Sequence, residues 1–334
     1  MNLTQAGVQQ TQEQIIDVIR GAQRFVLITH EHPDGDALGS LLGMHRVLEA
    51  LGKDSVMFIC DQELPLPYEY RWLDLSEASG TVPADIEQRV IVFLDCGNID
   101  RNPVEAFRSE TATILNIDHH HDNTCFGTVD HVVGGASCTA ELVWDLMTGL
   151  GVELTAEIAE PLYVGLITDT GRFMYENAGV RAHLMAAECI AAGVEPARVN
   201  RAVYEGWPEP KLRLFALGLS RAQREVGGAL TFAFLSARDF ADTGAEESYT
   251  EGIVDRLRAV EGTKVAALAR ELHEDGQGGP RWKISLRSSD GGVDVSAIAR
   301  EAGGGGHRQA AGFRSALSQE GLVAFLCEHV AAQL

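Results

Sequence analysis

The sequence predicts an α/β chain in two parts, and three observations carry that prediction. Strand-like and helix-like segments alternate through the first half. The strand-like runs there are nearly continuous in Val, Ile, Leu and Phe. Past the GWPEP break at 206–210 the order changes to strands punctuated by fewer helices. Alternation with fully apolar strands indicates a mainly parallel sheet flanked by helices, since only strands covered on both faces dispense with polar positions. The later segments indicate a smaller α+β domain, with an active-site cleft expected between the two.

In order, RFVLIT (24–29) reads as a strand, followed by a polar turn and an apolar-periodic helix from Ala37 to Leu51. DSVMFIC (54–60), RVIVFLD (89–95) and TATILNID (111–118) supply three more strands. Helical patterns follow at 137–148, 155–167, 180–192 and 209–224. Gly193 with Pro196 just beyond marks a helix stop. These signals divide the chain into a catalytic domain over 1–195, a linker over 196–215 and a substrate-binding domain over 216–334. In the last part ALTFAFLS (229–236), TKVAALAREL (263–272), RWKISLRSS (281–289) and HRQAAGF (307–313) read as strands. Helical stretches at 246–260 and 293–301 separate them, and a final helix covers 318–333.

Composition excludes several classes of function. The chain has 334 residues, 45% of them hydrophobic, enough for a substantial core. No apolar run reaches membrane-spanning length, and the N-terminus has no basic patch before an apolar stretch, so the cytoplasm is the expected location. The six cysteines form no CxxC pair and are expected as free thiols. A net charge of -21 repels long polyanions, which excludes a long duplex as partner and leaves small phosphorylated ligands.

The ionisable residues cluster where strands end. THEHPDGDALGS (29–40) follows the first strand and carries His30, His32, Asp34 and Asp36. Asp95 ends a later strand, Asp118, His119, His120 and His121 end the next, and Asp169 follows a helical run in LITDTG. In an open α/β sheet the C-terminal strand ends share one edge, so these groups are expected to converge. Crowded carboxylates repel one another, and two divalent cations would offset four negative charges. Oxygen and imidazole donors without thiolate suit Mn²⁺, Mg²⁺, Fe²⁺ or Zn²⁺, and the histidines favour manganese over magnesium. Each signal alone has a simpler explanation as turn chemistry, a helix cap or a surface histidine; their joint placement points to a metal site.

Together, the His30–Ser40 motif, Asp95, the Asp118–His119–His120 triplet, TDTG (168–171) and GGGH (304–307) resemble the motif set of the DHH phosphoesterase family, in family order. The resemblance is nearest to short oligoribonucleases (nanoRNases) that also act as pAp phosphatases, and to cyclic-dinucleotide phosphodiesterases. It implies an N-terminal DHH domain and a C-terminal DHH-associated domain. It further implies that His30, Asp34 and Asp95 hold one Mn²⁺ while Asp36, Asp95, His119 and Asp169 hold the other, with Mg²⁺ or Co²⁺ as substitutes. His120 would contact the scissile phosphate or the leaving group, and Asp118 would support it. His32 and His121 lie outside the pattern.

Arg287 stands in a strand-like stretch and offers a planar fork to a phosphate. Consecutive glycines before His307 allow close backbone approach to a bound group. The resemblance implies that Arg287, Gly304, Gly305, Gly306 and His307 bind substrate, with Gly303 extending a helix C-cap and Ser285 and Arg308 nearby. The implied activity is manganese-dependent hydrolysis of oligoribonucleotides of two to five nucleotides and of linear or cyclic dinucleotides, with pAp dephosphorylation. Alternatives are a cyclic-di-AMP-specific phosphodiesterase, a pAp phosphatase, a phosphatase for a non-nucleotide metabolite, and a non-catalytic nucleotide-binding regulator. A homodimer is the assembly that family precedent implies.

Overall fold

A computed structural model describes residues 4–109, 111–272, 281–289, 292–306 and 308–334. The chain divides into two compact units, 1–206 and 207–334.

The first unit opens with α1 (Gln5–Gly21), which buries Ile15, Ile16 and Ile19. Then come β1 (Arg24–Ile28), α2 (Gly35–Ala50), β2 (Asp54–Phe58), β3 (Val90–Leu94), β4 (Ile114–Asp118) and β5 (Val129–Val132). The strands form one parallel sheet in the order β2-β1-β3-β4-β5. Four helices complete the unit: α3 (Thr139–Leu150), α4 (Ala156–Asp169), α5 (Val180–Ala191) and α6 (Pro196–Tyr204). Alternate strand residues face opposite ways. Phe25, Leu27, Val92 and Leu94 pack with the helices, whereas Val26, Ile28, Ile91 and Phe93 meet Phe58 and Phe107 under short 3₁₀ turns.

The closest helix contact joins α2 to α4. Gly35, Gly39 and Gly43 recur every fourth residue, so they share one face of α2. A Cβ at Gly39 would lie 2.3 Å from the Pro161 carbonyl oxygen and 2.9 Å from the Gly165 nitrogen. One at Gly35 would meet Thr168, and one at Gly43 would meet Leu162. Hydrogen side chains let the two helices approach backbone to backbone.

Residues 196–215, expected as a linker, hold α6 and the start of α7 (Glu209–Ser220). Pro196 suits the first helical position because its fixed φ is already helical, and Val199 and Val203 of α6 are buried. The chain divides within the GWPEP segment, after Gly206.

The second unit continues with β6 (Gln223–Glu225), β7 (Leu230–Leu235), α8 (Ala237–Thr243), α9 (Ile253–Arg258), β8 (Val265–Glu271) and β9 (Trp282–Ser288). It ends with α10 (Val295–Glu301), β10 (Gly305–Gly306), β11 (Ala310–Ser315) and α11 (Gln319–Ala331). Its mixed sheet runs β10-β11-β9-β8-β7-β6, with β7 and β8 parallel and the other pairs antiparallel. Trp282, Ile284 and Leu286 of β9 enter a core with Val295, Ile298, Leu322 and Leu326. The helical stretch expected at 246–260 is a 3₁₀ turn followed by α9, and the helix expected to reach 224 stops at Ser220. All six cysteines are free; Cys96, Cys138 and Cys189 are buried and Cys125 is exposed. Among the described residues no helix is long and apolar enough to cross a membrane.

Candidate metal centre

Strand order reverses between β1 and β3, the switch point at which open α/β sheets place ligands beyond the C-terminal strand ends. His30 lies just past β1, and Asp34 and Asp36 start α2. Asp95 follows β3, Asp118 ends β4, and His119 and His120 follow it. Asp169 arrives from elsewhere, as the last residue of α4. The α2–α4 contact therefore sets the separation of Asp36 and Asp169.

Three groups of donor atoms form there: His30, Asp34 and Asp95; Asp36, His119 and Asp169; and Asp95, His119 and His120. His30 Nε2 is 3.6 Å from Asp95 Oδ2. His119 Nε2 lies 3.5 Å from Asp95 Oδ1, 3.8 Å from Asp169 Oδ2 and 3.9 Å from Asp36 Oδ2. Asp95 thus stands between the first two groups.

Local chemistry fixes each side chain. Asp34 caps α2, its Oδ1 accepting from the Asp36 and Ala37 amides. His30 Nδ1 lies 2.7 Å from the Glu31 carbonyl, which only accepts, so Nδ1 carries the proton and Nε2 faces Asp95. Asp36 accepts from the Thr139 amide at 2.7 Å and the Ala140 amide at 3.0 Å, filling the capping role that Cys138 leaves open at the start of α3. Asp95 has φ of 58°, a left-handed conformation that aspartate tolerates better than most residues. Its Oδ1 accepts from the Thr139 hydroxyl at 3.0 Å. His120 Nδ1 is 2.7 Å from Asp118 Oδ1, and Asn123 donates to Asp118 Oδ2 at 2.5 Å.

Crowding shows in the protonation of these groups. Burial, with repulsion from Asp95, Asp169 and Asp34, pushes Asp36 well above the usual carboxylate range. Burial raises Asp169 to about 7, opposed by His119 and reinforced by Asp95 and Asp34. Burial works to raise Asp95 too, but contact with His30 and the charges of His120 and His119 hold it well below its ordinary value. Burial works against a proton on His120, yet Asp118 and Asp95 lift that histidine to about 9. Carboxylates that resist ionising together beside free imidazole nitrogens fit divalent cations, which replace protons as the neutralising charge.

Six residues expected as ligands (His30, Asp34, Asp36, Asp95, His119 and Asp169) thus come together, with His120 and Asp118 beside them. His32 turns away to Glu63, at 3.0 Å, and His121 is exposed. Thr139, Asn123 and Asn177 are contributors absent from the sequence reading; Asn177 donates to Asp169 Oδ2 at 3.2 Å. Arg101, at the end of the turn after β3, is half-buried; its side chain makes no hydrogen bond or ion pair among the described residues, while its charge reaches His30 and His120.

In the second unit Arg287 lies on β9, its Nε 3.6 Å from Asp255 Oδ1. The Gly303 amide donates to Arg300 and the Gly304 amide to Ala299, a double-bonded helix end with Gly303 at φ of 75°. Gly304 packs too closely on Gly312 and Phe313 to admit a side chain, and Gly306 has φ of 133°. His307 lies outside the described residues.

A family model described as "DHH family, N-terminal domain" matches residues 24–166, and one described as "DHHA1 domain" matches 228–332. The chain is 36% identical over 302 residues to the bifunctional oligoribonuclease and PAP phosphatase NrnA of Thermus thermophilus, covering 89% of this chain and 86% of that protein. It is 26% identical over 308 residues to the protein of the same name in Bacillus subtilis, covering 90% and 91%. The crystal structure of an exopolyphosphatase-related protein from Bacteroides fragilis shares the fold, with a TM-score of 0.88 at 24% identity over 99% of this chain and 98% of that one. With a carboxylate–imidazole centre at the sheet edge and both domain matches in order, the chain belongs to the DHH family and is a metal-dependent phosphoesterase with a C-terminal DHHA1 domain.

Proposed function

We propose that this phosphoesterase hydrolyses oligoribonucleotides of two to five nucleotides and linear or cyclic dinucleotides to mononucleotides, and removes the 3′-phosphate of pAp. The observation that carries the reading is Asp95, placed between the His30–Asp34 and Asp36–His119–Asp169 groups. The names of the relatives in Thermus thermophilus and Bacillus subtilis, which describe oligoribonuclease and PAP phosphatase activity, support the substrate class.

In this reading His30, Asp34 and Asp95 hold one cation and Asp36, Asp95, His119 and Asp169 the second, with manganese suited to the mixed oxygen and imidazole donors. Bound there, two divalent cations supply Lewis-acid charge to the phosphate and water activation at neutral pH. Asp118 holds the His120 ring by Nδ1 and so positions it for a phosphate or leaving-group oxygen. Thr139 and the α3 amides fix Asp95 and Asp36 before substrate arrives, so little reorganisation accompanies reaction. Arg101, whose charge reaches His30 and His120 and whose guanidinium meets no carboxylate among the described residues, takes a non-bridging oxygen. Arg287, the glycine turn at Gly304–Gly306 and His307 hold the nucleotide portion. The net charge of -21 limits the length of strand that binds.

The test supplies Mn²⁺ and compares a 5′-phosphorylated dinucleotide, a long RNA, cyclic di-AMP and pAp. Turnover of the dinucleotide and pAp, with slow cleavage of the long RNA, supports the proposal. Cleavage of the long RNA alone, or of cyclic di-AMP alone, overturns it. Asp95→Ala should abolish every activity together.

A further inference from the structure

A second group of metal-competent donors lies away from the catalytic crevice, toward the far end of α2. His45 and Glu49 are four residues apart and share one helix face, and Glu77 reaches them from the segment after β2. His45 Nε2 lies 3.8 Å from Glu49 Oε2 and 3.7 Å from Glu77 Oε2. His45 is only 4% exposed, and its Nε2 has no hydrogen-bond partner. A buried polar atom without a hydrogen bond carries a desolvation cost, so a histidine nitrogen held between two carboxylates at ion-pair rather than hydrogen-bond distance calls for an explanation.

The ring is set up as a ligand. Nδ1 lies 2.8 Å from the Ser55 hydroxyl, an outer contact that turns Nε2 toward the carboxylates. Arg46 grips the same carboxylates from the other side, its Nη1 2.5 Å from Glu49 Oε2 and 3.4 Å from Glu77 Oε1. It thereby orients them and competes for their charge. At bond lengths of about 2.0–2.2 Å to nitrogen and oxygen, tetrahedral donors stand roughly 3.3–3.6 Å apart. The two His45–carboxylate separations need to close by only a few tenths of an ångström, and the Glu77 side chain is 53% exposed.

The geometry points to a separate structural site for a first-row divalent ion of the zinc type, held by His45 Nε2, Glu49 and Glu77 with water completing the shell. Such an ion ties α2 to the segment that runs past β2, where Ser79 pairs with Phe58. Because α2 also begins with Asp36, the ion braces the helix that serves the catalytic crevice from its opposite end.

Zinc alone is the probe. Its stoichiometry is measured by equilibrium dialysis and elemental analysis on the full chain, as wild type, His45→Gln and Glu77→Gln, and again with each change added to Asp95→Ala. The expected result is one zinc fewer per chain in both single variants, with Mn²⁺-supported hydrolysis kept at the wild-type rate. The Asp95→Ala protein should retain a zinc that Glu77→Gln then removes. Glu77 is exposed and distant from the core, so its replacement tests the site even where His45→Gln folds poorly. Equal zinc stoichiometry in wild type and Glu77→Gln overturns the assignment. Loss of hydrolysis without loss of zinc in Glu77→Gln overturns it as well. Because the readout is ion count, failure here is distinguishable from failure of the catalytic reading, which would appear as unchanged binding in Asp95→Ala.

Discussion

Replacing Gly39 with alanine tests whether the α2–α4 contact positions the metal centre. A new Cβ would stand 2.3 Å from the Pro161 carbonyl oxygen, against an ordinary contact of 3.4 Å or more. The neighbours are backbone atoms and cannot rotate aside, so the helices must separate by about 1 Å or bend. Overpacking of this kind costs about 1–3 kcal/mol, while alanine gains up to about 1 kcal/mol over glycine in helix propensity. With the full propensity gain subtracted, the net expectation is a loss of up to about 2 kcal/mol. Gly21→Ala is the control: Gly21 ends α1 with nothing within 4 Å, so only the propensity gain remains. The same 1 Å displacement moves Asp36 away from Asp169, and misplacement on that scale lowers turnover by about 100-fold. Urea denaturation followed by circular dichroism measures the first effect, and calorimetric Mn²⁺ titration with dinucleotide hydrolysis measures the second. A Gly39→Ala protein with wild-type urea midpoint, Mn²⁺ affinity and rate would refute the reasoning.

Asp118→Asn removes the charge that orients His120, and kcat should drop about 10–100-fold while Mn²⁺ stoichiometry stays constant; equal loss of metal would show a ligand instead. Arg101→Gln should raise KM for pAp with little change in thermal midpoint, and Arg101→Lys should restore part of it; unchanged KM removes Arg101 from the substrate site. His131 is buried beside Thr11, and desolvation lowers it from 6.5 to about 4. The unfolded chain therefore binds a proton between those values that the folded chain refuses, so stability falls as pH drops from 6.5 toward 4, by about 3 kcal/mol from this group. His131→Gln should lose correspondingly less over that window in denaturant titrations, and parallel pH profiles would contradict the assignment.

The three strands that carry the site, β1, β3 and β4, were legible because each is a nearly unbroken apolar run with an ionisable residue at or just past its end. β5 was not, since Asp130 and His131 interrupt it with groups that read as loop; in fact Asp130 accepts from Asn116 at 3.0 Å and His131 is buried against α1. α1 was missed because glutamines dominate it and only three of its residues reach the core. Five of the six expected metal ligands could be placed near one another because the strand ends of a parallel sheet meet at one edge; Asp169 comes from α4, and only the fold places it there. Thr139 could not, because a threonine at a helix start is most simply a cap, and only the fold brings it to Asp95. The glycine face of α2 did leave a signal, the spacing of Gly35, Gly39 and Gly43, which becomes meaningful once α4 is known to lie against it.

The arrival of Asp169 from α4, rather than from a strand, has a consequence for synthesis. A ribosome that has released His30, Asp34 and Asp95 has delivered one half of the crevice, yet the other half waits until α4 has emerged and seated itself on α2. On the proposed ligand sets, full cation loading is therefore postponed to a late stage of the first unit's maturation, and a nascent chain halted ahead of α4 lacks Asp169.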